Sequence, residues 1–202
     1  MYKKYIKRIL DFSSSFIALV ILSPILIIVY VLVRTKLGKP VIFKHQRPGK
    51  NEEIFTLYKF RSMSNERDEN GNLLPDEVRL TKFGRLLRAT SLDELPELIN
   101  ILKGDMSIIG PRPLEVYFLP YYNEKERHRH DVRPGLTGLA QINGRNNLTW
   151  EQRFDYDLSY IGEMSLFTDV KILFQTFSKV LNSEGTDIPT EDFNVYREKQ
   201  LK

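Results

Sequence analysis

Two acidic residues stand side by side, Asp93 and Glu94, in the segment Arg88-Ala89-Thr90-Ser91-Leu92-Asp93-Glu94-Leu95-Pro96, just before an apolar run that stops at Lys103-Gly104. A carboxylate pair at the start of a helix has two uses. As structure, Ser91 with Glu94 three residues on reads as a capping box, and Asp93 is itself a good N-cap. As chemistry, a helix N-terminus offers spare amides and a positive dipole to phosphate, and carboxylates there can hold Mg²⁺ against phosphate oxygens. Arginines recur beside proline or glycine, in Arg47-Pro48-Gly49, Gly110-Pro111-Arg112-Pro113, Arg133-Pro134-Gly135 and Asn143-Gly144-Arg145. Stiff or tightly turned backbone aims a guanidinium fork, which suits bidentate recognition of phosphate. Taken with the acidic pair they predict a polyphosphate substrate, although any one of them alone could cap a loop or pair with an acid. Arg127 and Arg129 lack such neighbours and read as solvated; His128 and His130 read as surface histidines with no carboxylate at metal-ligand spacing.

The elements that must position these groups are legible. Val41 to Arg47 and Ile54 to Arg61, joined through Pro48-Gly49-Lys50-Asn51, read as a β-hairpin. Alternation puts Phe55, Leu57, Lys59 and Arg61 on one face, so two cations lie side by side. Asn65 to Asp76 reads as an exposed polar loop, and Val78 to Leu87 as a basic amphipathic helix leading into Arg88. Near the C-terminus Phe167, Val170, Leu173, Phe174, Phe177, Val180 and Leu181 recur at helical spacing beside Lys171 and Lys179. That pattern fits a helix at a membrane interface or one packed on the core. The expected fold is α+β: a helix-rich domain over residues 40–202 with a small β-hairpin or sheet, preceded by a separate segment, 1–39.

That segment differs from the rest. Between Asp11 and Arg34 lie 22 residues without a charge, nearly all large and aliphatic. As straight helix they would reach about 33 Å, enough to span a hydrocarbon core of about 30 Å. Ser23-Pro24 interrupts the run near its middle, where proline removes the amide that would bond the Val20 carbonyl and favours a kink or break. Cations flank both ends, Lys3, Lys4, Lys7 and Arg8 before and Arg34, Lys36 and Lys39 after, so charge asymmetry does not orient a span. A helix that enters one leaflet, turns at Ser23-Pro24 and leaves by the same face satisfies both features if the freed carbonyl finds a partner such as the Ser23 hydroxyl. A kinked transmembrane helix satisfies them equally. The chain has no cysteine, which excludes disulfides and thiolate catalysis, and its +4 charge suits nucleic acid, anionic lipid or phosphorylated substrates alike. Cations placed at Pro and Gly turns, rather than interleaved with aromatics, argue against nucleic acid.

Together the broken apolar run, Tyr58-Lys59-Phe60-Arg61-Ser62-Met63, Ser91-Leu92-Asp93-Glu94-Leu95-Pro96-Glu97-Leu98, Lys103-Gly104-Asp105-Met106-Ser107, Gly110-Pro111-Arg112-Pro113, Arg133-Pro134-Gly135 and Gly138-Leu139-Ala140-Gln141-Ile142-Asn143-Gly144-Arg145 resemble the bacterial sugar transferases, the small monotopic phosphoglycosyl transferases. The resemblance runs in order along nearly the whole chain and is closest to the short, single-domain members that prime glycoconjugate synthesis. It implies transfer of a sugar 1-phosphate from a UDP-sugar to undecaprenyl phosphate with release of UMP, by an enzyme using Mg²⁺ and carried on the cytoplasmic face of the bacterial inner membrane by a re-entrant helix broken at Ser23 and Pro24. Asp93 would be the nucleophile and Glu94 its partner, both near the metal. Lys59, Arg61, Arg88, Arg112, Arg133 and Arg145 would handle phosphates, and Gln141 and Asn143 would contact nucleotide or sugar. The chain departs from the family at Leu139, often tryptophan there, and at Asn146-Asn147-Leu148-Thr149-Trp150, often Asn-Ala-Ile-Ser-Trp. The competing reading is a membrane-anchored protein that binds nucleotide sugar without turning it over.

Overall fold

The computed structural model describes residues 1–144, 147–181 and 192–200. A π-helical turn, Tyr2–Ile6, leads into a long helix α1, Lys7–Lys36, apolar and long enough to cross a membrane. Helical structure continues through Pro24, so the expected interruption takes no non-helical residues. The Ser23 hydroxyl donates to the Val20 carbonyl at 2.8 Å, supplying the hydrogen bond that proline cannot.

One stripe of α1 packs on the rest of the chain along both halves of the helix. In the first half the stripe is polar. Lys7, Asp11 and Ser15 are buried at i, i+4 and i+8; the Lys7 ammonium lies 2.7 Å from Asp169, and Asp11 accepts from the Ser107 hydroxyl at 2.8 Å and the Ile108 amide at 3.0 Å. Asp169 also accepts from the hydroxyls of Tyr2 at 2.5 Å and Tyr160 at 2.7 Å. In the second half the stripe is apolar, with Val29 and Val33 joining Val41, Phe60 and Leu87 in a buried cluster. The opposite face leaves Ile17, Val20, Ile21, Ile27 and Ile28 exposed.

Strands β1, Ile42–Pro48, and β2, Ile54–Phe60, form the expected antiparallel hairpin with Phe43 opposite Lys59. The single basic helix expected over 78–87 is instead two, α2, Asp76–Arg79, and α3, Lys82–Ala89, because Thr81 caps the second through its hydroxyl, which accepts from the Gly84 amide at 3.1 Å. At Gly84 a Cβ would fall 1.8 Å from the Ser62 carbonyl oxygen, so only glycine lets α3 press against the chain leaving β2.

Helix α4, Glu97–Lys103, ends at Gly104 in the left-handed conformation, φ +93°, as the Lys103-Gly104 stop predicts. Arg8 of α1 donates to the carbonyls of Ile101 and Leu102 at 2.6 and 2.8 Å, capping the end of α4. A short parallel pair follows, β3, Ser107–Ile109, with β4, Gly135–Thr137. Between them lie a 3₁₀ turn at Val116–Tyr121, helix α5, Glu124–Arg127, and a 3₁₀ turn at His128–His130. Helices α6, Leu139–Asn143, α7, Trp150–Glu163, α8, Leu166–Leu181, and α9, Phe193–Gln200, follow among the described residues. Phe193 sits fully buried among Leu114, Phe118, Tyr122, Trp150 and Phe154. Helix α8 turns Asp169 and Ile172 inward and leaves Phe167, Val170, Leu173, Phe174 and Phe177 exposed; the side chains of Val180 and Leu181 lie outside the described residues.

The histidine and arginine expectations for the 128–130 turn need correction. His130 is buried against Tyr122, and burial, then the Arg129 charge, lowers its pKa to about 3. Arg129 is buried as well, in an ion pair with Asp157 at 2.8 Å.

Candidate active site

The acidic pair is not a capping device. Ser91 takes a left-handed conformation, φ +55°, and makes no side-chain cap; Leu92–Glu94 closes as a 3₁₀ turn, and α4 begins only after Pro96. Proline at 96 has no amide for the carbonyl of residue 92, so the α-helical bond pattern cannot start earlier. Freed from capping, the Glu94 carboxylate faces two cations. Its Oε1 lies 2.7 Å from Lys59 Nζ, carried by β2, and 2.7 Å from Arg112 Nη2, carried by the loop after β3. Burial works to raise the Glu94 carboxyl, but Arg112 and Lys59 overcome it and hold the group far below the usual carboxylate range.

Asp93 is also buried, yet it makes no hydrogen bond or ion pair with any described residue. Burial, and then the Glu94 charge, raises its pKa to about 6 against the pull of Lys59, Arg112 and Arg88. Arg88, on α3, is steadied by a 2.9 Å hydrogen bond from its Nε to the Ser62 hydroxyl. The site therefore holds a partly protonated carboxylate, unpaired among the described residues, beside an ionised one held by two cations.

A third carboxylate went unrecognised in the sequence. Glu97, in the first turn of α4 and 3% exposed, lies 3.0 Å from Lys59 Nζ, and burial raises its pKa to about 7. Its spacing from Glu94, one helical turn, was the available signal. Arg47, on β1, pairs with Glu115 at 2.6 Å, and Glu115 also meets His45 at 3.1 Å.

Of the predicted phosphate ligands, Lys59, Arg88 and Arg112 gather around the acidic pair. Arg61 does not. Strand β2 ends at Phe60, so alternation lapses, and Arg61 turns to donate to the carbonyls of Leu37 and Lys39. Arg133 is aimed, but at the Gly104 carbonyl, 2.7 Å from its Nε. Asn143 spends its amide on the Leu139 carbonyl of its own helix at 2.8 Å. Gln141 keeps both amide atoms buried without a partner. Arg145 and Asn146 lie outside the described residues.

The donor chemistry fits Mg²⁺. Both Asp93 oxygens and Glu94 Oε2 are hard ligands that engage no described side chain or backbone amide. Among the described residues no group of three or more His, Asp or Glu has metal-ligand geometry, so Asp93 and Glu94 would leave coordination positions for substrate oxygens or water.

These features bear on a comparison with known sequences. The family described as bacterial sugar transferase matches residues 2–183, nearly the whole chain. The chain belongs to that family. It is 54% identical over 180 residues to the uncharacterized sugar transferase EpsL of Bacillus subtilis, covering 89% of each chain. It is 38% identical over 199 residues to the undecaprenyl-phosphate galactose phosphotransferase of Salmonella typhimurium, covering 90% of this chain and 42% of that one. It is 36% identical over 189 residues to the UDP-N-acetylgalactosamine-undecaprenyl-phosphate N-acetylgalactosaminephosphotransferase of Aeromonas hydrophila, where the shares are 90% and 45%. The chain thus spans most of the short bacterial sugar transferase and less than half of these longer relatives.

Proposed function

We propose that this bacterial sugar transferase moves a sugar 1-phosphate from a UDP-sugar to undecaprenyl phosphate, releasing UMP, through an aspartyl phosphosugar. The observation that carries the reading is Asp93: a buried carboxylate with no hydrogen-bond or ion-pair partner among the described residues, surrounded by Lys59, Arg88 and Arg112. The names of the relatives in Salmonella and Aeromonas support the acceptor.

In this mechanism an Asp93 oxygen attacks the β-phosphorus, the bond to the UMP oxygen breaks, and UMP leaves. A phosphate oxygen of the lipid then attacks the same phosphorus and frees Asp93. Arg112 and Lys59 are poised to exchange Glu94 for donor phosphates, and Arg88 adds a third positive charge, so charge on the reacting phosphoryl group is met by fixed cations. Glu94, pointing elsewhere than Asp93, is left to assist the second step. Mg²⁺ held by Glu94 and Asp93 with the donor phosphates would supply further neutralisation of that charge. Gln141, whose buried amide atoms have no hydrogen-bond partner, keeps donors and an acceptor to offer as a nucleotide or sugar contact.

UMP release from a panel of UDP-sugars, with undecaprenyl phosphate and Mg²⁺, tests the reaction. Because Asp93 must be ionised to attack and its pKa is raised to about 6, the donor kcat/KM should climb about tenfold from pH 5 to pH 7. A protein that binds UDP-sugar at every pH and never releases UMP would establish the binding-only alternative instead.

We also propose that α1 enters and leaves the cytoplasmic leaflet by one face. Support comes from the contacts of both its halves with one body, from cations at both ends and from the satisfied Val20 carbonyl. The exposed apolar face of α8 suits the same interface. Single cysteines placed near Lys4 and Lys39 in this cysteine-free chain should both resist an impermeant thiol reagent in intact cells. Replacing Ser23 and Pro24 with leucine should make one end reactive, as a straightened helix moves towards spanning; reactivity of the N-terminal cysteine in the parent chain would exclude the re-entrant reading.

A further inference from the structure

We infer that Arg129 is a positioning residue that aims Arg112, and that through Asp157 it ties helix α7 to the reacting centre. The inference rests on the proposed reaction, since Arg112 matters there as a phosphate ligand.

The Arg129 guanidinium is spent entirely inside the protein. Its Nη2 donates to the Arg112 carbonyl at 2.7 Å and to Asp157 Oδ2 at 2.8 Å; its Nε donates to the same carboxylate oxygen at 3.1 Å, and Nη1 reaches the Tyr122 hydroxyl at 3.5 Å. Tyr122 and Phe154 both lie 5.8 Å from it by ring centroid. Arg129 and Asp157 side chains are each 2% exposed.

A buried ion pair of this kind is a poor source of stability, because desolvation offsets the attraction and well-packed apolar residues commonly do as well. What apolar residues cannot supply is the directed bond to the Arg112 carbonyl. The preceding carbonyl, of Pro111, is fixed independently by the Gly135 amide at 2.9 Å. Two consecutive carbonyls of a proline-flanked loop are therefore pinned, one by β4 and one by Arg129. The side chain that projects from this doubly held stretch is Arg112, whose fork meets Glu94 at 2.7 Å. Holding a charged group in its working geometry is where misplacement of an ångström is costly.

The test compares Arg129→Met/Asp157→Leu with wild type in the full-length, membrane-extracted chain, alone and combined with Arg112→Ala. Readouts are thermal stability, UDP binding by calorimetry, and UMP release. The apolar pair should melt at or above wild type, while donor kcat/KM falls on the order of 10- to 100-fold. In the Arg112→Ala background the same pair should cost less than threefold more, because the residue it aims is gone. Arg129→Lys, which keeps the charge but not the fork, provides the same cycle if the apolar pair does not fold. Wild-type kcat/KM in a folded variant, or a loss that adds in full to Arg112→Ala, overturns the inference. A wild-type chain that binds UDP but releases no UMP refutes the proposed reaction instead, and the cycle is then read in UDP affinity.

Discussion

Asp93→Asn is expected to abolish the covalent phosphosugar adduct and to lower turnover by roughly 10³-fold or more, on the order of 4 kcal/mol of barrier. The amide is isosteric, makes no new demand on packing, and leaves Glu94, Lys59 and Arg112 as they are. It simply cannot form the phosphorus–oxygen bond as a carboxylate does. Intact-protein mass spectrometry with UDP-sugar and Mg²⁺, lipid withheld, reads the adduct directly, and an adduct that survives in Asp93→Asn would remove Asp93 as nucleophile. Glu94→Gln should behave differently, forming some adduct and discharging it slowly. The stability of Asp93→Asn should move the other way. A carboxyl whose folded pKa is raised to about 6 favours folding most when protonated, and that contribution is lost as pH rises through 6. The asparagine variant should therefore melt higher than wild type above pH 6, with the difference closing below about pH 4. On the proposed mechanism, the cost of keeping a bare carboxylate buried is what makes it available for attack.

The second large effect is expected where α1 meets the body. Asp169 accepts from Lys7, Tyr2 and Tyr160 at 2.7, 2.5 and 2.7 Å, so Asp169→Leu takes the close partner from a buried ammonium, left with Asp11 at 3.9 Å, and the acceptor from Tyr2, while Tyr160 keeps the Ile109 carbonyl at 3.1 Å. Breaking a buried pair from one side costs about 3–5 kcal/mol, a large part of a typical domain's stability of roughly 5–15 kcal/mol. Thermal unfolding in detergent and protease susceptibility near residue 40 should both report it. Lys7→Met combined with Asp169→Leu should recover most of the loss; a double variant no better than Asp169→Leu alone would mean the charge of Lys7 is not what is stranded.

Much of the framework was legible because it follows local rules. The β1–β2 hairpin announced itself through alternation and its Pro-Gly turn, the end of α4 through Lys103-Gly104, and α8 through apolar spacing at period 3.6. The departures from expectation share a cause. Stiff flanking residues do aim arginines, as at Arg133 and Arg112, but backbone carbonyls left over at helix ends and turns compete with phosphate for the same fork. Arg61 and Arg133 serve such carbonyls at Leu37, Lys39 and Gly104, and Arg129 does so at Arg112. No spacing rule distinguishes the two fates, since the carbonyls come from segments far away in the chain. For Glu94 the sequence offered a capping use and a chemical one, and the capping use does not form, because Pro96 delays the helix it would have capped and the carboxylate meets Lys59 and Arg112 instead.

Arg8 closes the far end of the helix whose near end follows the acidic pair. Seven residues of α-helix measure about 10 Å, so the turn that carries Asp93 stands at a set distance from an arginine of the long apolar helix α1. On the proposed reaction and membrane placement, depth becomes a built-in dimension of the protein: an acceptor whose phosphate rides higher or lower in the headgroup layer would miss Asp93, whatever the length of its prenyl chain.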